Sequence, residues 1–125
     1  MVYAFDLDDT ISARAELFKP LMYSLCSLDG VSVYVVSAFV RGSTWPFATR
    51  EQKKEQLAKM GILQGEHYDD LYVALGGGIE ECGAIKRQIL DNVEADFYMD
   101  DNPVFAQMAL KPGRMVACCA MGKAT

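Results

Sequence analysis

The sequence predicts an α/β fold of three layers, in which a five-stranded parallel sheet lies between helices. Short apolar, β-branched runs alternate along the chain with helical patterns, and this alternation is typical of such folds. The length of 125 residues suits a single domain, residues 1–125, with one core. A chain that is 51% hydrophobic and 23% charged is neither disordered nor fibrous.

The chain starts with a β-type run at residues 2–6. Residues 13–28 follow with a leucine every three or four positions, which predicts a helix with an apolar stripe. Those leucines are Leu17, Leu21, Leu25 and Leu28. Residues 31–37 are nearly all apolar and β-branched, as in a strand that is buried on both faces of a parallel sheet. Residues 38–48 contain glycine and proline and are predicted to form a loop.

The second helix begins after Thr49, because Gln52 three residues later completes a capping-box pattern. Gly61 lies just past its end, where a left-handed residue is favoured. Residues 71–75 form the third predicted strand, and residues 79–90 form the third predicted helix.

The last part of the chain contains two more strands. Residues 96–100 form the first of them, and Asn102 and Pro103 then provide the N-cap and first residue of a helix over residues 104–110. Residues 115–120 form the final strand. In sheets of this kind, ligands bind outside the carboxyl ends of the strands.

Composition narrows the classes of function. Twelve basic and seventeen acidic residues give a net charge of −5, which does not favour a nucleic-acid partner. No stretch has the length and apolar content of a membrane span, and no leader pattern opens the chain. The cysteines lack CxxC spacing, so we expect buried, reduced thiols in a cytoplasmic protein rather than a zinc site. They are Cys26, Cys82, Cys118 and Cys119.

Carboxylates stand at the ends of two predicted strands. Asp6 and Asp8 close the first run and share a face, since side chains at i and i+2 do so in a strand. Asp100 and Asp101 close the fourth. If these strands are neighbours, the carboxylates converge and repel each other, and Mg²⁺ is the cation that relieves such repulsion. The alternative is that they are helix caps and turn residues.

Four motifs stand in the order found in a known family. Asp6-Leu7-Asp8-Asp9-Thr10 resembles motif I (DxDxT) of the haloacid dehalogenase superfamily. Ser37 resembles motif II, Lys86 motif III, and Asp100-Asp101 the acidic motif IV. The resemblance implies a Rossmann-like core. It also implies a phosphatase rather than a dehalogenase, because dehalogenases lack the second aspartate of motif I.

The resemblance implies a role for each motif residue. Asp6 would be the nucleophile that forms an aspartyl-phosphate, and Asp8 the general acid and base. Ser37 and Lys86 would stabilise the phosphoryl group. The implied substrate-binding residues are Thr10, Ser37, Ala38 and Arg41. The implied Mg²⁺ ligands are Asp6, Asp8 through its backbone carbonyl, Asp100 and Asp101.

Two assignments stay open at this stage. Motif IV is Asp-Asp-Asn-Pro rather than GDxxxD, so either Asp100 or Asp101 could be the direct metal ligand. Lys53 and Lys54 are rivals to Lys86 for the motif III role, although their helix predicts a solvated face.

The connections between the predicted elements are too short to hold the cap domain that usually sets specificity in this family. We therefore expect a capless, open site, covered either by a large phosphorylated substrate or by oligomerisation. The basic stretch at residues 41–59 makes a polynucleotide 3′-end phosphatase one alternative. A non-catalytic module that binds metal or phosphate is an alternative of another class.

Three further features carry weaker predictions. His67 is the only histidine, and its polar neighbours predict an exposed position. Trp45 and Phe47 follow motif II, where burial is the first expectation and stacking against substrate the alternative. The glycines at 76–78 lack the spacing of a dinucleotide-binding motif and predict only a strand exit.

Overall fold

The computed structural model describes residues 1–120. Its strands and helices alternate along the chain, as the sequence predicts. The strands are β1 (Val2–Phe5), β2 (Ser32–Val40), β3 (Asp70–Gly76), β4 (Phe97–Asp100) and β5 (Met115–Cys118). The helices are α1 (Ala15–Cys26), α2 (Arg50–Lys59), α3 (Ile79–Asn92) and α4 (Pro103–Ala109). The fold is therefore the three-layer, Rossmann-like α/β sandwich that the pattern indicates.

The sheet has the order β3-β2-β1-β4-β5, and all its pairs are parallel. The first and fourth strands are neighbours, as convergence of the acidic residues requires, with Phe5 opposite Met99. β2 continues past the end of β1 and pairs with β3 as far as Val40. The prediction of a loop over residues 38–48 was thus wrong for residues 38–40, because their apolar side chains extend a paired strand.

Alternate residues of the strands face two separate cores, as the period of two requires. Tyr3 and Phe5 of β1 pack on the side of α1 and α2, whereas Val2 and Ala4 pack on the side of α3 and α4. The buried residues of the first core are Phe5, Leu7, Ile11, Phe18, Met22, Val33, Val35, Leu57, Ile62, Tyr68 and Leu71. Those of the second are Ala4, Val36, Leu90, Ala95, Tyr98 and Ala109.

The leucine spacing predicted the α1 helix, but the buried residues of α1 are other side chains. Phe18 and Met22 are its buried residues, whereas Leu17 and Leu21 remain 54% and 42% exposed. The helix is apolar on more than one face, so the leucine spacing did not single out the side chains that reach the sheet. Among the four leucines, Leu25 packs against the first core as a partly buried residue.

Helix caps follow the sequence closely. The Thr49 hydroxyl accepts a hydrogen bond from the Gln52 amide at 3.1 Å, and the Gln52 side chain accepts one from the Thr49 amide at 3.0 Å. The Asn102 side chain accepts from the amide of Val104 at 2.9 Å. Both caps fix helices that carry residues of the site described below.

A glycine allows α4 to pack closely on α3. A Cβ atom at Gly83 would lie 2.4 Å from the sulfur of Met108, a distance that real atoms do not adopt. Phe105 of α4 lies against the same point, 3.3 Å from that position. The close approach brings the Phe105 ring to the face of α3 that carries Lys86.

Three local predictions were wrong. His67 is buried, because its Nδ1 accepts a hydrogen bond from the Leu63 amide at 3.1 Å and its ring packs near Tyr23. Trp45 is 46% exposed rather than buried. The cysteines are free, as expected, but only Cys82 among them is buried. Within residues 1–120, no helix has both the length and the apolar character needed to cross a membrane.

Candidate active site

The candidate site lies at the carboxyl edge of the sheet, where β1 and β4 end side by side. Asp6 follows β1 directly, and its amide donates to the carbonyl of Met99 at 2.9 Å. Asp100 is the last residue of β4. Both are buried, at 5% and 0% exposure, and both lie on the side of the sheet that α3 covers.

Lys86 of α3 joins these carboxylates. Its Nζ lies 2.8 Å from Asp6 Oδ1 and 2.8 Å from Asp100 Oδ2, and it also donates to the Tyr98 hydroxyl at 2.9 Å. Tyr98 in turn donates to Asp100. The ammonium is almost fully buried, so each of its hydrogens is used inside the protein.

Burial and crowding of charge perturb these groups. Burial raises the pKa of Asp6 well above its usual range, and the Asp100 carboxylate adds to this effect although Lys86 opposes it. Burial alone would lower the pKa of Lys86, but the two carboxylates raise it on balance. Lys86 therefore stays charged, and three acids converge beside this one ammonium. A divalent cation relieves the repulsion within such a group of acids.

Three carboxylates converge closely enough to share a cation. Oxygen atoms of Asp6, Asp100 and Asp101 all lie within 4.8 Å of one another. The Thr10 hydroxyl ties two of them together, since it lies 3.1 Å from Asp6 Oδ2 and 3.2 Å from Asp101 Oδ1. Hard oxygen donors at this spacing fit Mg²⁺. Thr10 was predicted to bind substrate. In the structure, its hydroxyl holds the carboxylates of Asp6 and Asp101 in place.

The chain turns sharply between Asp6 and α1. Residues Leu7–Ile11 form one wide turn, closed by the Ser12 amide donating to the Leu7 carbonyl at 3.0 Å. Within it Asp9 has a φ of +63°, a left-handed conformation that aspartate tolerates better than most residues. This turn carries the Asp8 side chain away from the carboxylate cluster, so Asp8 is not part of it.

Asp8 is instead held from α2. Lys53 Nζ lies 2.9 Å from Asp8 Oδ2, and Gln56 Nε2 lies 3.1 Å from Asp8 Oδ1. The Ser37 hydroxyl, buried at the end of the β2–β1 pairing, lies 3.4 Å from Asp8 Oδ2. The structure thus brings the Ser37 and Asp8 side chains together. Their roles in binding and catalysis, and the Asp8 backbone carbonyl as a metal ligand, stay predictions.

Lys53, a rival to Lys86 in the sequence analysis, is a functional candidate whose burial the sequence did not predict. Its side chain is fully buried, so the prediction of a solvated face was wrong for this residue. Lysines are almost never fully buried without a partner. Lys53, Gln56 and Leu57 are the buried residues of α2 and stand at i, i+3 and i+4. That spacing was visible in the sequence, but two of the three are polar, so an analysis of apolar periodicity does not detect the face.

The remaining two predicted residues lie farther out. Ala38 is part of β2 and lines a cleft beside Asp8. Arg41 is exposed, and its guanidinium lies 3.3 Å from Glu81, which also accepts a hydrogen bond from the Gly77 amide. The structure therefore does not bring Arg41 into the carboxylate cluster.

The cleft beside Asp8 has a volume of about 260 Å³. Asp8 and Asp9 line it, and its other lining residues are mostly apolar. Its further lining residues are Ala38, Phe39, Val40, Ser43, Trp45, Ile79 and Phe105. The Phe105 ring also lies 4.5 Å from Lys86 Nζ, so one aromatic side chain connects the cleft with the buried ion pairs.

In comparisons with known proteins, no family model, no curated protein and no solved structure matches the chain.

Proposed function

We propose that the protein is a Mg²⁺-dependent phosphohydrolase that cleaves a phosphomonoester through an aspartyl-phosphate at Asp6. The observation that carries this proposal is the contact of Lys86 with two buried carboxylates at 2.8 Å, with a third carboxylate beside them. A purely structural ion pair needs one acid for one lysine, whereas here two acids contact a single ammonium and a third carboxylate lies beside them. The resemblance to motifs I to IV supports the same assignment.

In the first proposed step, a carboxylate oxygen of Asp6 forms a bond to phosphorus while the bond from phosphorus to the leaving oxygen breaks. The bonding pair passes to the leaving oxygen, which takes a proton from Asp8. In the second step, water attacks phosphorus and gives a proton to Asp8. Inorganic phosphate leaves, and the Asp6 carboxylate is restored.

The two aspartates have different surroundings. Asp6 is buried and held by Lys86 and Thr10, so its oxygens are fixed in direction, as a nucleophile requires. Asp8 is partly exposed at 23%, beside the cleft, where a leaving group could reach it. Lys86 would offset the charge of Asp6 as the anionic phosphate approaches.

Asp6, Asp100 and Asp101 fit a hard cation by their donor type and spacing. When bound there, Mg²⁺ would supply positive charge that offsets the phosphoryl oxygens.

The pairing of the basic stretch argues against a polynucleotide substrate. Arg41 pairs with Glu81, and Lys53 with Asp8. Arg50 contacts both Asp70 and Glu51. Three of the five basic side chains in this stretch are thus paired with acids within the protein, which reduces the basic surface that a phosphate backbone needs. A phosphomonoester other than a polynucleotide end is therefore the favoured substrate.

Hydrolysis of p-nitrophenyl phosphate, measured with Mg²⁺ and with EDTA, tests the proposal. We expect turnover that requires Mg²⁺ and is abolished in Asp6→Asn, because an amide cannot attack phosphorus. Asp29→Asn, which removes an exposed acid on the turn after α1, is the matched control and should keep full activity. Wild-type activity in a folded Asp6→Asn variant would refute the nucleophile.

The same preparation distinguishes the non-catalytic alternative. If no phosphomonoester is hydrolysed, while Mg²⁺ and inorganic phosphate together raise the Tm, the protein is a binding module. A phosphatase shows turnover under the same conditions.

A further inference from the structure

The cleft next to Asp8 has the character of a binding site for a ring rather than for a phosphate. Of its nine lining residues only Asp8 and Asp9 are charged, and neither is basic. An anionic group would meet carboxylates there, without a compensating cation among the lining residues. The cleft is therefore suited to the uncharged part of a phosphorylated molecule.

The aromatic walls define what that part is. Phe39, Trp45 and Phe105 line the cleft together with the aliphatic Val40 and Ile79. Trp45 and Ile79 are 46% and 43% exposed, so a large apolar surface faces solvent at this point. Aromatic side chains of this kind bind other rings by stacked or edge-to-face contacts.

The volume limits the size of the ligand. An apolar cavity of roughly 150 Å³ is enough to hold benzene, whereas sites for drug-sized molecules usually begin near 300 Å³. At about 260 Å³ the cleft accommodates one ring with a short linker. A fused, extended ligand would project into solvent.

The position of Asp8 relates the cleft to the reaction. Asp8 lines the cleft and is also the residue proposed to protonate the leaving oxygen. When the leaving oxygen lies within reach of Asp8, the group attached to that oxygen lies between β2, the loop after β2 and the start of α3. Phe105 closes the side nearest Lys86, at 4.5 Å from its Nζ.

We propose that this cleft binds an aromatic ring in the leaving group of the substrate, so that the substrate is a phosphomonoester with a ring next to its ester oxygen. This inference rests on the proposed phosphohydrolase function. It assigns substrate specificity to Trp45, Phe39 and Phe105. These side chains would take the role of a cap domain, which residues 1–120 do not contain.

The test compares benzyl phosphate with ethyl phosphate in the presence of Mg²⁺. The two leaving alcohols have similar acidity, so a difference in kcat/KM reports the ring rather than the chemistry. We expect benzyl phosphate to be favoured about tenfold and Trp45→Ala to remove most of this preference. Tyr23→Ala, which removes an exposed aromatic ring on α1, is the control and should keep the preference.

Binding can be measured apart from turnover, because Trp45 is the only tryptophan in the chain. 2-Phenylethylphosphonate, in which a methylene replaces the ester oxygen of benzyl phosphate, should change the tryptophan fluorescence saturably. Propylphosphonate, the matching analogue of ethyl phosphate, should bind about tenfold more weakly.

The outcomes separate this inference from the function on which it rests. Equal hydrolysis of both esters, with no effect of Trp45→Ala, overturns the ring site and leaves the phosphatase intact. Binding of the phenyl phosphonate without hydrolysis of either ester supports the ring site and overturns the phosphatase. Absence of both binding and hydrolysis overturns the two together.

Discussion

Replacing Lys53 by methionine tests the attachment of Asp8 to α2. Methionine keeps an unbranched side chain of similar length but removes the ammonium that lies 2.9 Å from Asp8 Oδ2. Removing one partner of a fully buried ion pair costs about 3–5 kcal/mol, because the other charge is left uncompensated. Here the cost is smaller, since Asp8 is 23% exposed and keeps its hydrogen bond from Gln56 at 3.1 Å.

We therefore expect Lys53→Met to lower the free energy of unfolding by about 2 kcal/mol. For a chain of 125 residues this corresponds to a decrease in Tm of roughly 5–10 °C. Urea denaturation and thermal unfolding measure the two quantities. Lys54→Met, one residue along the same helix, is the matched control and should change the stability by less than about 0.5 kcal/mol.

A double-mutant cycle with Asp8→Asn isolates the pair. In the Asp8→Asn background, Lys53→Met should lower the free energy of unfolding by about 1–2 kcal/mol less than it does in the wild type. The reason is that the Asp8 carboxylate, which Lys53→Met would leave unpaired, is already absent. The attachment is refuted if Lys53→Met is no more harmful than Lys54→Met, or if its cost is the same in both backgrounds.

The remaining predictions concern the acid, the metal site and pH. Asp8→Asn should lose more kcat/KM on ethyl phosphate than on p-nitrophenyl phosphate, because an alkoxide needs the proton that general acid catalysis supplies, worth about 10²–10⁴-fold; equal losses would contradict the role. Millimolar Mg²⁺ should raise the Tm of the wild type and not that of Asp100→Ala, as measured by scanning fluorimetry, and equal shifts would exclude the cluster as the metal site. Partial burial would raise the pKa of Asp91, but hydrogen bonds from Arg114 and Arg87 outweigh it and lower this pKa. A lowered pKa gives stability that is complete above about pH 4 and is lost as pH falls through the lowered value. Asp91→Asn should therefore cost about 1 kcal/mol at neutral pH and almost nothing near about pH 2 in urea denaturation, and an equal cost at both would refute the pairing.

The sequence was sufficient to predict the sheet and the position of its acidic edge. Alternating runs predicted the layers, and the rule that parallel strand ends share an edge predicted that Asp6 lies near Asp100 if β1 and β4 are neighbours, which they are. The Thr49 and Asn102 caps were predictable because capping depends on residues three positions apart at most. Each of these features depends on local patterns or on a general rule of topology.

The features that escaped prediction depend on long-range partners. Lys53 is separated from Asp8 by 45 residues, and a lysine on a polar helix resembles a solvated residue until its partner is known. The buried face of α1 depended on which of several apolar side chains meets the sheet. His67 is buried by contacts with Tyr23 and the Leu63 backbone, which its polar neighbours in sequence do not indicate.

The most direct test of the central claim is chemical trapping of the phosphorylated residue. The protein is mixed with p-nitrophenyl phosphate and Mg²⁺, quenched in acid, and treated with borohydride, which reduces an acyl phosphate of aspartate to homoserine. Peptide mass spectrometry should find homoserine at position 6, dependent on Mg²⁺ and at no other aspartate. Hydrolysis of the substrate without reduction at Asp6, or reduction at another aspartate, would contradict the account.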